Sequence, residues 1–314
     1  MKNREKTLLE RYLPHLALVG CNLLWAFDYP LYHILLPHYL SPMALLFLAL
    51  LFTALFAIFP LLGRPRERVE RRDLPLFVLG ALLIGLLHKG FMMKGLSLTS
   101  PIDASIINTA GPLVVLFLSV LMGRDRLTSL KVIGLALGLI GAVAVILWGG
   151  NEAHQSSDLR GNLMMVGAVT ATALYTVWLK QALVKYRVTT ILAWVYGIAA
   201  LLSLPLGVEA LWHTPFATWT LKGWLALVAV LLLLTYLPNF LFNLALKRIK
   251  PLETSIFSYL QPVAAIFLSV AMGLDRLQFD TIIFAVVIFV GIGLVLFSYA
   301  KGEASPSAKG RDLR

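Results

Sequence analysis

Apolar residues in this chain come in runs long enough to cross a bilayer, and the polar breaks between them are short. A hydrocarbon core about 30 Å thick needs roughly 20 apolar residues per helix. Ten stretches meet that length, near 15–36, 42–62, 75–96, 101–122, 129–148, 161–183, 190–211, 224–246, 252–272 and 279–299. None shows the strict period-2 alternation of a membrane barrel strand. Their backbone polar groups must therefore be satisfied within helices. The pattern predicts an all-α membrane protein of ten transmembrane helices.

The pattern also repeats. At an offset of 150 residues, "PIDASIINTAGPLVVLFLSVLMGRDRL" (101–127) aligns with "PLETSIFSYLQPVAAIFLSVAMGLDRL" (251–277), with 13 of 27 positions identical. Prolines and a charged turn match in register, which two merely leucine-rich helices would not do. Each copy then holds five helices, and an odd number forces the second copy to enter the membrane upside down. The expected organisation is a segment 1–14, a first repeat over 15–148, an outer linker 149–160, an inverted repeat over 161–299, and a disordered cytoplasmic tail 300–314.

Charge refines the picture. The chain carries 27 Lys and Arg against 16 Asp and Glu, an excess that in a soluble protein would suggest nucleic acid. Its placement argues against that partner. Apart from Arg160, Lys222 and Arg276 in outer segments, and Lys89 and Lys94 inside the third stretch, every Lys and Arg falls on one side of a ten-span threading. The positive-inside rule makes that side cytoplasmic and puts both termini there. A bacterial-type inner membrane, with its lipids as surroundings, is the expected location. The lone Cys21 excludes an intrachain disulfide and a thiolate metal cage. "LVGC" before it resembles a lipoprotein processing site, but the apolar run continues to Leu36, as an uncleaved first helix would.

The five-plus-five plan, "GPLVVLFLSVLMGRDRLTSLKVIGLALGLIGAV" and "LQPVAAIFLSVAMGLDRL" resemble the paired domains of the EamA-like ten-helix transporters of the drug/metabolite transporter superfamily. The resemblance covers both halves, about 280 residues, and "NLLWAF" and "ALYTVWLK" resemble the family's motifs in helices 1 and 6. Where the family usually has Glu after the paired glycine, this chain has Asp125 and Asp275. Asp28 stands where uncharged residues are usual. The resemblance implies a carrier that alternates access between the two sides of the membrane.

Ionisable groups at membrane depth are expensive and by default functional. Lys89, beside His88, lies in the middle of the third stretch, and the 150-residue register sets it opposite Asn239, with Met93 opposite Asn243. Asp28 lies near mid-depth in helix 1, on a face with Cys21, Trp25 and Tyr32 by helical spacing. It can hold a substrate amine, relay a proton or neutralise Lys89, and the residues leave these alternatives open. Asp28, His88 and Lys89 are the proton-coupling candidates. Helices 4 and 9 carry matching polar stripes that include Asn108, Tyr259 and Gln261. Trp25 and Tyr175 correspond across the repeat, with Trp178 nearby, and such aromatics suit an amphipathic solute. Asp103 and Glu253 follow prolines that suit helix starts. Gly134, Gly138 and Gly141 favour close helix contact, within the bundle or in a homodimer.

No HExxH, GxSxG, phosphate-binding loop or Cys/His metal spacing occurs, so neither an enzyme nor a resident cofactor or metal is expected. The reading is a secondary transporter for a small polar or amphipathic metabolite, an amino acid or related compound among the options. A lipid or lipid-linked carrier translocase on the same scaffold is the alternative.

Overall fold

The computed structural model describes residues 8–36, 38–62, 67–123, 128–148, 158–178, 185–249, 254, 257–274 and 279–300. Among them it contains helices and turns and no strand. Through the first half run α1 (Leu8–Ala26), α2 (Asp28–Leu35), α3 (Pro42–Ile58), α4 (Leu74–Gly80), α5 (Lys89–Leu96), α6 (Pro101–Asn108), α7 (Gly111–Leu121) and α8 (Ser129–Trp148). The second half holds α9 (Leu159–Trp178), α10 (Val188–Trp212), α11 (Leu221–Ala229), α12 (Leu237–Leu246), α13 (Leu260–Ala271) and α14 (Phe279–Ala300). Five continuous stretches, Pro42–Leu61, Arg71–Leu96, Pro101–Leu121, Val188–Trp212 and Leu221–Leu246, are long and apolar enough to cross a membrane.

Helix starts follow local chemistry. Ser41 caps α3 by accepting from the Ala44 N–H at 3.2 Å, and Ser100 caps α6 by accepting from the Asp103 N–H at 3.1 Å. In both, proline occupies the first turn, where its missing N–H costs nothing. Asp103 is thus at a helix start, as its position after Pro101 suggests; Glu253, Asp125 and Asp275 lie outside the described residues. The paired glycines before those aspartates adopt the same left-handed conformation, φ 65° at Gly123 and 66° at Gly273, which ends each helix without a Cβ clash.

Several helices are interrupted midway. The first predicted stretch divides at Phe27. Pro30 has no N–H to give the carbonyl four residues back, so the ladder breaks there. Pro112, Pro238 and Pro262 stand alike in the first turns of α7, α12 and α13. π-helical turns at Ala81–His88 and Val230–Leu234 occupy equivalent places in the two halves. Local π geometry inside α-helices recurs at functional sites.

Packing follows the same two-fold pattern. α3 lies along α10 and α8 along α14, while α1 packs on α12 as α9 packs on α5. Glycines permit the closest approach: a Cβ on Gly134 would collide with the Gly291 carbonyl, and one on Gly141 with Ile288, both on α14. Gly134 and Gly141 are thus spent inside the chain. Substituting Gly134 with Leu should lower unfolding stability by about 1–3 kcal/mol, the usual cost of overpacking. Gly293→Ala, where a Cβ meets nothing within 4 Å, should leave the thermal midpoint in detergent unchanged or slightly raised.

Candidate functional site

Between the two halves lies a cavity of about 90 Å³. The broken and π-containing helices build it. Asn22, Trp25, Asp28 and Tyr29 enter from α1 and α2, His88 and Lys89 from the third stretch, and Asn108 and Gly111 from the α6–α7 break. The second half contributes Thr172 and Tyr175 from α9, Asn239, Phe242 and Asn243 from α12, and Ser258 and Gln261 around the Pro262 break.

The polar groups of this wall divide sharply by whether the protein already satisfies them. Gln261 is a hub: its carbonyl accepts from Asn108 Nδ2 at 2.8 Å and from the Tyr29 hydroxyl at 3.2 Å, and its amide donates to Asn22 Oδ1 at 2.5 Å. Asn22 in turn donates to the Leu18 carbonyl at 2.7 Å. Asn239 accepts from the Tyr196 hydroxyl at 2.6 Å and donates to the Thr235 carbonyl at 2.5 Å. Asn243 accepts from Tyr175 at 2.8 Å and donates to the Asn239 carbonyl at 2.8 Å. His88 Nδ1 lies 2.6 Å from the Thr172 hydroxyl and 3.1 Å from the Ala168 carbonyl.

Asp28 and Lys89 stand apart from this network. Asp28 is 1 % exposed and its Oδ1 has no hydrogen-bond partner among the described residues. Lys89 is 3 % exposed. Among the described residues no ion pair within 4.0 Å joins the two, although each feels the other's charge. The simple structural bridge considered from the sequence is therefore absent from this conformation. Both groups line the cavity. Trp25, tilted against Phe242 at 5.3 Å between ring centroids, supplies an apolar wall beside them.

Of the residues singled out from the sequence, Trp25, Asp28, His88, Lys89, Asn108, Tyr175, Asn239, Asn243 and Gln261 meet at this cavity. Trp178 does not: it is 41 % exposed and its indole N–H points to Met122 Sδ at 3.2 Å. The Tyr259 side chain lies outside the described ones. The helical face drawn through Cys21, Trp25 and Tyr32 also needs correction. Past the break at Phe27, Tyr29 lines the cavity; Cys21 and Tyr32 lie in the core, where the Tyr32 hydroxyl interacts with the Asp28 carboxyl. Sequence reasoning misses Asn22, Tyr29 and Thr172, yet Asn22 and Thr172 correspond at the 150-residue offset. That register is the available signal.

Comparison with known proteins adds the family context. A model of the EamA-like transporter family matches the chain twice, over residues 13–147 and 159–297. YetK of Bacillus subtilis (strain 168), an uncharacterized transporter, is 22% identical over 71% of this chain and 68% of its own length. YyaM of the same organism, also an uncharacterized transporter, is 26% identical over 73% of this chain and 75% of its own. One protein crystal structure, 20% identical, superposes with a TM-score of 0.64 over 90% of this chain and 97% of the other, a likeness of fold.

Satisfied and unsatisfied groups should respond oppositely to removal. Gln261→Leu strands Asn22 and Asn108, and should lower stability by about 1–3 kcal/mol per orphaned group. The double variant Asp28→Asn with Lys89→Met removes two charges that no ion pair compensates. It should unfold at the same or a higher temperature in a detergent melt.

Proposed function

Because the chain belongs to the EamA-like transporter family, we propose that it is a secondary transporter of two inverted five-helix halves, moving a small polar or amphipathic metabolite by alternating access. Both termini then face the cytoplasm of a bacterial-type inner membrane. One observation carries the reading: in a largely apolar cavity between the halves, two buried ionic groups face each other's field without an ion pair among the described residues, and Asp28 Oδ1 has no hydrogen-bond partner there. A buried charge without a partner is costly. That cost is offset when a solute brings the complementary groups.

In this reading Lys89 receives an anionic group of the solute and Asp28 a cationic group or a proton, while Trp25 packs against its apolar part. Asn239, Asn243, Asn108 and Gln261 are held in place by protein partners and orient the solute with the donors and acceptors left over. A solute carrying both charges, such as an amino acid or a related compound, fits this division. His88 sits beside Lys89 and can share proton transfer with it.

Contacts between connecting segments support the threading. Tyr39, after the first predicted stretch, bonds Thr220, after the seventh, at 2.6 Å. The Leu98 carbonyl, after the third, accepts from the Asp158 N–H, after the fifth, at 2.8 Å. Thr128, after the fourth, bonds Ser298 at the end of the tenth at 2.7 Å. Odd-numbered connections thus meet odd, and even meet even, as ten crossings require. A cavity between the halves that gathers Asp28, Lys89 and several amides supports a soluble solute; the lipid-translocase alternative needs a groove open to the membrane.

The test is solute binding and counterflow in proteoliposomes over amino acids, amines, nucleosides and sugars, with and without a pH gradient. Lys89→Ala and Asp28→Asn should each weaken binding of the accepted solute by about tenfold to a hundredfold, the scale of a charge-assisted hydrogen bond. Unchanged binding and flux in both variants removes these roles.

A further inference from the structure

One polar cluster of the cavity wall has no twin across the repeat. In the second half Gln261 stands immediately before Pro262, whereas the equivalent residue before Pro112 is Gly111. Asn22, which accepts from the Gln261 amide, corresponds to Thr172, and Asn108 corresponds to Ser258. The place taken by the Gln261 cluster in one half therefore has, in the other, a residue without a side chain at its centre. The residues around that second place are apolar. Val115 lies one turn along α7 from Gly111, and Val169 and Ala173 lie one turn apart on α9. All three line the cavity together with Gly111, and they are 3 %, 4 % and 2 % exposed. Their counterparts in the register, Ala265, Val19 and Leu23, are not part of that lining.

The hydroxyls beside these residues have protein partners: Thr172 meets His88 Nδ1 at 2.6 Å, and Thr176 donates to the Thr172 carbonyl at 2.7 Å. Because His88 precedes Lys89 in the chain, the apolar place adjoins the charged part of the same cavity. Nothing in the backbone requires glycine at position 111. Its φ is not in the left-handed region that Gly123 and Gly273 occupy. Among the described residues a Cβ there would meet only Val169 Cγ1, at 3.9 Å, an ordinary contact. Gly134 and Gly141, by contrast, are demanded by the helix packed against them. Nor does the following proline demand it, since Gln261 holds the same position before Pro262 within α13. What glycine contributes at 111 is room.

We propose that the space at Gly111, walled by Val115, Val169 and Ala173, receives the apolar side chain of a zwitterionic solute, and that Gly111 sets which side chains enter. This rests on the reading in which Lys89 and Asp28 hold the two charges of the solute. With the charged end fixed there, each methylene buried against the apolar wall adds about fourfold to binding. The solute class is then an amino acid with a branched or aromatic apolar side chain, in preference to one with a small or polar side chain.

The experiment titrates the full chain in detergent with glycine, alanine, leucine and phenylalanine and reads binding by calorimetry. Leucine or phenylalanine should bind at least about tenfold more tightly than alanine. Gly111→Leu fills the space and should lower that ratio by about tenfold, whereas Lys89→Ala should weaken all four amino acids alike. Gly111→Ala adds one methyl group at a position that accepts a Cβ, so it keeps the test valid where the larger variant fails to fold. It should lower the ratio for the larger side chain by about threefold. Equal binding of alanine, leucine and phenylalanine, or a ratio that neither folded variant moves, shows the pocket to be wrong while the zwitterion reading stands. Binding of none of the four overturns that reading and the pocket with it.

Discussion

An ionised side chain surrounded by apolar helices needs a counter-charge or a route to polar solvent, and the architecture around Asp28 and Lys89 depends on that constraint. Both are buried, and among the described residues no ion pair joins them. They persist because the helices beside them are broken, by proline at Phe27 and at the α6–α7 junction and by π turns in the third and eighth stretches. Irregular backbone at membrane depth is tolerated where it lines a cavity. The same breaks that make the cavity place the charges in it. Gln261, Asn22, Asn108, Asn239 and Asn243 each bond protein partners, whereas Asp28 Oδ1 has none among the described residues.

The scaffold is nearly symmetric and its decoration is not. Lys89 corresponds to Asn239, Gln261 to Gly111, and Glu70 to Thr220. Two halves of one backbone plan meet on both sides of the cavity, Tyr39 with Thr220 at one end and Tyr186 with Asp73 at the other. Unequal side chains on that plan then decide which half holds charge and which end is tied more firmly.

Much of this is legible in the sequence because duplication leaves an internal ruler. Pro101 with Pro251, Pro112 with Pro262, and the two MG turns fix the register, and it leads to Asn239 and Asn243 beside Lys89. Hydrophobic length alone marks the apolar stretches in which the described helices lie. The break at Phe27 is harder to foresee, since Pro30 sits in a run that still reads as one apolar helix. That break is why Tyr29, and not Tyr32, reaches the cavity. Trp178 is drawn in by the same assumption: it occupies the position of Asp28, but α9 runs unbroken to its end, and residue 180 is Lys where the first half has Pro30. The partners of Asn239 are also invisible, because Tyr196 and Thr235 lie on segments with no polar pattern to mark them. The charged junction at Tyr186 reads only as ordinary cytoplasmic charge.

Opposed threading of the halves is the claim on which the rest stands, and side-specific labelling of Met122→Cys and Met272→Cys, each in a Cys21→Ala background, addresses it directly. These positions end equivalent helices and are solvent- or lipid-exposed. In intact cells an impermeant thiol reagent should modify the thiol introduced at position 272 and spare the one at position 122 until the membrane is opened. Modification of both from the same side would mean that the two copies run parallel, and the account would fail.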